Sequence, residues 1–178
     1  MNQHRFGYDD SLRRLRDLGF VAPDDQPPMP AHLPQPGDEE PLGLGFFKTF
    51  VGEGADFSNL SIPRTFFGRS EISNASFRNT DLTESNLRWN DFIDVDFTGA
   101  SLVRADLRAS IYTRVNFTGT DLCDADMRRS SFEECILNGA LMKGALIARG
   151  QADELVLSPS QKAEIAWCSD DGPEPSGG

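Results

Sequence analysis

Between Ala55 and Arg149 neither a period of 3.6 nor a period of 2 organises the apolar residues, whereas a period of five does so without a gap. Steps of five from Phe57 land on Ile62, Phe67, Ile72, Phe77, Leu82, Leu87, Phe92, Phe97, Leu102, Leu107, Tyr112, Phe117, Leu122, Met127, Phe132, Leu137, Met142 and Ile147, so all 19 positions are large and apolar. Two residues before the centre most repeats carry a small side chain, as at Ala55, Thr65, Ser70, Ala75, Ala105 and Ala125. The residue just before the centre is often Asp or Asn, as in Ala55-Asp56-Phe57 and Ala125-Asp126-Met127. One large and one small residue inside, with three outside, describes a short extended segment followed by a turn, and Asp and Asn suit that turn by bonding back to nearby backbone. A single pentad cannot bury its own face. Stacked coils, pairing as parallel strands about 4.8 Å apart, supply the core.

These in-phase Ala-Asp/Asn-Leu/Phe-X-X units resemble the pentapeptide-repeat family over residues 55–149. The resemblance implies an all-β fold, a right-handed quadrilateral parallel β-helix with four pentads per turn. For this solenoid it predicts nearly five turns and a height of about 23 Å. Leu60 and Asn90 at the small position, and Pro63 just after a centre, depart from the motif at the first turn and at one corner. Four pentads per turn sort the expected core into columns: Phe57, Phe77, Phe97, Phe117 and Leu137; Ile62, Leu82, Leu102, Leu122 and Met142; Phe67, Leu87, Leu107, Met127 and Ile147; Ile72, Phe92, Tyr112 and Phe132.

The flanks have a different character. Residues 1–20 contain Leu12, Leu15, Leu18 and Phe20 at a spacing that suits a short amphipathic helix, which at this length must dock or fray. Residues 21–54 read as a Pro-rich acidic linker, poorly ordered, ending in a cap: seven of the 11 prolines lie between Val21 and Leu42, and Phe46, Phe47 and Phe50 read as a lid on the open end. Residues 150–168 read as a C-terminal cap, whose Ser158-Pro159-Ser160-Gln161 is a capping-box signature opening a short helix with Ile165 and Trp167. Residues 169–178 read as a disordered tail. Neither end carries an apolar run fit for a membrane span or a secretory signal, so a cytoplasmic address is expected and a membrane partner is not.

Composition argues against catalysis. The only histidines, His4 and His32, fall in the N-terminal segment, leaving no base beside a nucleophile on the rigid body. Cys123, Cys135 and Cys168 have no metal-ligand or disulfide spacing, and Cys135 reads as an inward packing residue. Asp121, Asp124 and Asp126 cluster, but the repeat itself places Asp at turns. No enzyme activity, cofactor or metal is expected.

Net charge is −11, yet residues 55–149 hold 13 acids against 11 bases, so the excess lies mainly in the flanks. By column, one face carries Arg69, Arg88, Arg108, Arg128, Arg129 and Arg149 against Asp106 and Asp126. The next carries Glu71, Asp91, Asp94, Glu133 and Glu134 against Arg114. Arg88, Arg108 and Arg128 share one outward position, a costly like-charge ladder unless carboxylates or a ligand compensate it. Trp89, Ile93 and Ile111 point outward near the corner between the two faces, and Trp beside Arg is the composition of interface hot spots. The expected function is a non-catalytic interaction module that presents the Arg/Trp face to a protein partner, with no direct nucleic-acid binding. The family resemblance adds an alternative, a DNA-mimicking modulator of DNA gyrase or topoisomerase acting through the acidic face; a toxin-immunity protein would be a special case of the first reading, and Ile165 and Trp167 at a solenoid terminus, with the dimers the resemblance implies, suggest a homodimer joined through the C-terminal end.

Overall fold

The computed structural model describes residues 4–32, 43–52 and 54–169; residues 33–42 of the expected linker and residues 170–178 of the expected tail lie outside the described residues. Helix α1 (Tyr8–Asp17) precedes the short strands β1 (Gly45–Phe47), β2 (Phe50–Val51), β3 (Phe66–Gly68), β4 (Glu71–Ser73), β5 (Asp91–Ile93), β6 (Ile111–Thr113), β7 (Ser131–Glu133) and β8 (Leu146–Ala148). A 3-10 helix (Arg149–Glu154), helix α2 (Pro159–Glu164) and strand β9 (Ala166–Cys168) follow. All strand pairs are parallel. From Asp56 onward residue n lies over residue n+20, as in Ile72↔Phe92↔Tyr112↔Phe132, so four pentads make one turn of a parallel β-solenoid. One face is the continuous sheet β2-β4-β5-β6-β7, another has the pairs β1-β3 and β8-β9 at its two ends with bridges between them, and the remaining two are held by bridges between turns.

Each pentad turns its corner in the same way. The residue two past the centre has positive φ in every pentad from Phe57 to Met142, 14 times a non-glycine and 4 times a glycine (Gly99, Gly119, Gly139 and Gly144). An L-residue there costs about 1–2 kcal/mol, least for Asn, Asp and Gly. The Asp or Asn before the centre offsets part of that cost: Asp81 Oδ1 accepts from Thr83 N–H at 3.0 Å, Asp96 from Thr98 at 2.8 Å, and Asp121 from Cys123 at 3.1 Å. Hydroxyls at the small position reach the turn above; Thr80 Oγ1 donates to the Phe57 carbonyl at 2.6 Å and Ser110 Oγ to Leu87 at 2.9 Å.

Asn90 uses the same device. Its amide donates to the Phe67 carbonyl at 3.0 Å while its oxygen accepts from Ser70 N–H at 2.8 Å, so this buried polar side chain leaves the corner intact. Leu60, the other departure, is fully buried.

Inside, two aromatic ladders run side by side on adjoining faces. Phe57, Phe77, Phe97 and Phe117 stack at centroid distances of 4.6, 5.1 and 5.5 Å. Phe92, Tyr112 and Phe132 stack at 5.1 Å, and the ladders meet edge to face at Phe92–Phe97 and Tyr112–Phe117. Stacked and edge-to-face pairs are both favourable for ring quadrupoles. Leu82, Leu87, Leu102, Leu107 and Leu122 fill the remaining columns and are buried throughout.

The solenoid starts earlier than Ala55 and has about six turns rather than nearly five. Phe46 and Val51 are buried centres five apart, and one extra residue before Phe57 hides them from a strict count. The register records that insertion, for Gly45 lies over Phe66, an offset of 21. Phe46 accordingly stacks on Phe67 at 4.5 Å, but Phe47 and Phe50 are not a lid; they point outward, 56% and 65% exposed.

The lid is α1 with the residues after it. Leu12, Leu15 and Val21 are buried, and Phe20 continues the ladder over Phe57 at 4.9 Å. Ser11 Oγ accepts from Ser61 N–H at 2.8 Å, and Arg5 Nε donates to the Asn79 carbonyl at 2.7 Å. The start of the linker is docked too: Pro30 is buried and its carbonyl accepts from Arg64 at 2.8 Å, while Tyr8 Oη donates to Pro27 at 3.0 Å.

Two glutamines close the other end. Gln161 Nε2 donates to the carbonyls of Leu137 (2.8 Å) and Ala140 (3.1 Å), while its Oε1 accepts from Ser158 N–H (2.9 Å). Gln151 repeats this two corners earlier, donating to Met127 and Ser130 and accepting from Ala148 N–H. Each satisfies corner carbonyls that a further turn would otherwise bind. Ile165 is buried over this end, Trp167 is half-buried with its indole N–H on the Lys162 carbonyl, and Glu154 accepts from Phe132 N–H at the exposed edge of β7.

Phe97 sits mid-ladder between Phe77 and Phe117. Phe97→Ala should therefore lower unfolding free energy by about 3–5 kcal/mol in urea titrations followed by circular dichroism.

Candidate functional site

The basic face is built from the pentads centred on Phe46, Phe67, Leu87, Leu107 and Met127. Its outward positions form columns because the 20-residue register repeats them. Arg88, Arg108 and Arg128 fill the position after the centre, with Phe47 and Gly68 above them. The positive-φ corner holds Lys48, Arg69, Trp89, Ala109 and Arg129 in sequence.

The arginine column is not uniform. Arg108 Nε and Nη2 clasp Asp106 at 2.9 and 2.7 Å, with Asp126 at 3.5 Å. Arg128 clasps Asp126 at 2.9 and 2.6 Å, and this bond holds its guanidinium more firmly protonated. Their side chains are only 12% and 15% exposed, so both are committed to carboxylates of their own face. Arg88 differs because Asn86 stands where the lower turns have Asp106 and Asp126. Its nearest acid is Asp106 at 3.7 Å, and its buried Nε has no hydrogen-bond partner.

Beside Arg88, Trp89 is 57% exposed at φ 60°, and Ile111 on the adjoining face is 49% exposed. Ile93 is half-buried. Arg69 is exposed and makes no ion pair among the described residues. Arg129 is an exposed corner residue, whereas Arg149 leaves the column by opening the 3-10 helix. Of the residues assigned from sequence, the structure thus gathers Arg69, Arg88, Trp89 and Ile111 around one corner and separates Arg108 and Arg128 from them by burial and pairing.

Lys48, Phe47 and Phe66 extend this corner toward the N-terminal end. Sequence reasoning missed them, and the signal was the five-residue step from Phe46 to Val51.

The adjoining acidic face is also interrupted. Arg114 clasps Asp94 at 2.6 and 2.7 Å and holds its carboxyl below the usual carboxylate range. Glu71, Asp91, Glu133 and Glu134 are exposed, and the last two add to the field that keeps Arg114 charged. A third charge cluster lies elsewhere on the body: Glu84 is held between Arg104 (2.7 Å) and Arg64 (2.8 Å). Hydrogen bonds from Arg104, and then Arg64, outweigh desolvation and lower its pKa.

Among the described residues no group of His, Cys, Asp and Glu could hold a metal ion, and no helix is long and apolar enough to cross a membrane. Burial pushes the Cys135 thiol up, and its Sγ lies 3.4 Å from the Tyr112 carbonyl.

Glu84 gives the protein a defined acid response. Its carboxyl has a lower pKa folded than unfolded, so its stabilisation is present above the unfolded value of about 4.3 and is lost as pH falls through the folded one. Urea midpoints should drop on acidification from about pH 5 to pH 3, and Glu84→Gln should flatten that drop while lowering the midpoint at neutral pH.

The model of pentapeptide repeats matches in 8 copies over segments 53–88, 70–108, 91–129 and 113–146, which together run through more than half of the chain. No curated protein matches the sequence. Among solved structures, HetL, a pentapeptide repeat protein involved in heterocyst differentiation regulation in Nostoc sp. strain PCC 7120, aligns with TM-score 0.55 and 18% identity over 64% of this chain. The chain spans about half of HetL, 51% of its length. A pentapeptide repeat protein of the Arabidopsis thaliana thylakoid lumen aligns at TM-score 0.46 and 23% identity, covering 64% of this chain and 72% of that one. QnrB1, a plasmid-mediated fluoroquinolone resistance protein, aligns at 0.28 and 9% identity over 70% of this chain and 81% of that one. With its repeat model matched through more than half of its length and its coil repeating every 20 residues, the chain belongs to the pentapeptide-repeat family.

Proposed function

We infer that the protein is a non-catalytic cytoplasmic interaction module that holds a protein partner on the corner formed by Arg88, Trp89 and Ile111, with Arg69 beside it and Ile93 further along the adjoining face. The observation that carries this reading is Trp89. A large aromatic side chain sits 57% exposed at a corner position that the other pentads fill with Asn, Gly, Ala or a charged residue, so neither core packing nor turn chemistry accounts for it. It stands next to Arg88, whose Nε has no hydrogen-bond partner. Exposed Trp beside Arg, on a backbone that does not have to be ordered on binding, supports tight capture at low entropic cost.

The gyrase reading draws its support from net charge, and the charge distribution weakens it. A DNA mimic needs carboxylates in a continuous array, whereas Arg114 neutralises Asp94 in the middle of the acidic face. Self-association through the C-terminal end has one observation in its favour: Ile136, Leu141 and Val156 are exposed there by 47%, 54% and 83%. Light scattering on the full chain decides it, and a monomeric mass ends that proposal.

Affinity capture from the native host should recover a specific partner with the wild-type chain and lose it with Arg88→Ala/Trp89→Ala. Replacing Glu71, Asp91, Asp94, Glu133 and Glu134 by their amides should leave that capture intact. Partner retention by the Arg88/Trp89 variant overturns this reading, and inhibition of gyrase supercoiling that vanishes in the amide variant replaces it.

A further inference from the structure

The basic face changes character halfway along its length. In its lower turns Asp106 and Asp126 stand before the centre and clasp Arg108 and Arg128. In its upper three turns the same position holds Gly45, Phe66 and Asn86, and none of the residues in segments 45–49, 66–70 and 86–90 is acidic. Those segments carry Lys48, Arg69 and Arg88 together with Phe47, Phe66 and Trp89.

Cations and rings alternate over this half. Gly68 makes room for the Phe66 ring, which lies across it where any Cβ would collide. That places Phe66 against Phe47, centroids 6.2 Å apart, with both partly exposed (39% and 56%). Lys48 Nζ sits 5.4 Å from the Phe47 centroid, and neither Lys48 nor Arg69 has an ion-pair partner among the described residues. Because successive turns are about 4.8 Å apart, three cations and three rings fall within about 10 Å along the axis.

Resting on the reading of this face as a protein-binding surface, we propose that its N-terminal half recognises an acidic peptide segment of the partner in which carboxylates alternate with aromatic or large aliphatic side chains. The carboxylates pair with Lys48, Arg69 and Arg88, and the apolar side chains pack on Phe47, Phe66 and Trp89. Charge complementarity selects this occupant. Two or three carboxylates match Lys48 and Arg69, which have no ion-pair partner among the described residues, and Arg88, whose nearest acid, Asp106, lies 3.7 Å away without a hydrogen bond to the buried Nε, and the exposed rings match the apolar residues between them. A nucleic acid offers rings and negative charge too, but its phosphates run on past the patch. Glu71 and Asp91 border the patch on the adjoining face, and the chain carries net charge −11.

Fluorescence anisotropy on the full-length protein tests this. The probes are labelled dodecapeptides of Asp and Glu interspersed with Phe and Leu, the same peptides with Asn and Gln for the acids, and a labelled twelve-nucleotide oligo(dT). The acidic peptides should bind saturably and at least about tenfold more tightly than their amide counterparts. Arg69→Glu/Arg88→Glu and, separately, the fully surface-borne Lys48→Glu/Trp89→Ala should each weaken them by about tenfold or more, with unchanged circular dichroism and melting temperature. Arg128→Gln should change affinity by less than about twofold. Absence of saturable binding, equal affinity for the amide peptides, indifference to both double variants, or tighter binding of oligo(dT) overturns the proposal. If host capture still depends on Trp89 while no acidic peptide binds, only the partner chemistry assigned here fails; if capture is independent of Arg88 and Trp89, the reading of the face itself fails.

Discussion

The hydrogen bonds that join residue n to residue n+20 govern this molecule. They are too few per strand to hold two isolated segments together, since no strand among the described residues exceeds three residues. Repeated around four sides and through about six turns, they lock every pentad into the register of its neighbours. Parallel pairing in exact register puts like residues above like, so a side chain that fits its column once must fit it in each turn. This is why the interior consists of two aromatic ladders flanked by leucine columns rather than an irregular jigsaw. Positive φ at each corner follows from the same condition, because a chain closing a square every 20 residues has to bend sharply after each pair of inward residues.

Stacking leaves two ends, and each is closed by a different chemistry. At the N-terminal end the problem is exposed rings and apolar centres, and α1 answers it with Leu12 and Leu15, and Phe20 just after it covers Phe57. At the C-terminal end the problem is corner carbonyls, and Gln151 and Gln161 answer it with identical offsets to the turn above. Within the coil, Thr, Ser and Asn at the small position make the equivalent bond. A glutamine reaches further, and that reach lets it serve where the next turn is missing. The two caps are therefore parts of the solenoid's hydrogen-bond and packing system, which makes the folded unit longer than the stretch in strict phase.

Columns also decide the surface. A like-charge column is tolerable only if opposite charge is supplied at the same pitch, and the Asp-centre-Arg pattern of the two lower turns supplies it within each pentad. Where Asn86 and Phe66 replace the Asp, the positive charge has no carboxylate within its own pentad, and that is the part of the face on which Trp89, Phe47 and Phe66 are exposed. The same rule explains the acidic face, where Arg114 enters the corner column directly below Asp94 and ties up its most central carboxylate.

The five-residue step was legible because burial at a solenoid centre depends on sequence position alone: Phe57 to Ile147 could be assigned inside, and Arg88, Arg108 and Arg128 to one outward column, without coordinates. The turn at Phe46 and Val51 is hidden by a single inserted residue: counting back by fives from Phe57 lands on Gly52 and Phe47, and nothing in composition separates the buried Phe46 from the exposed Phe47 and Phe50. Leu60 and Asn90 looked like flaws because a sequence does not reveal that a corner can accept a full leucine or an amide spanning two turns. By itself, then, the sequence determined the repeat, the four columns and the side of the body on which each charge lies, since all of these follow from counting. Only the tertiary structure decided which charges are already answered, what closes the two ends and which rings remain in the open, because those depend on contacts between residues 20 or more positions apart whose distances no periodicity encodes.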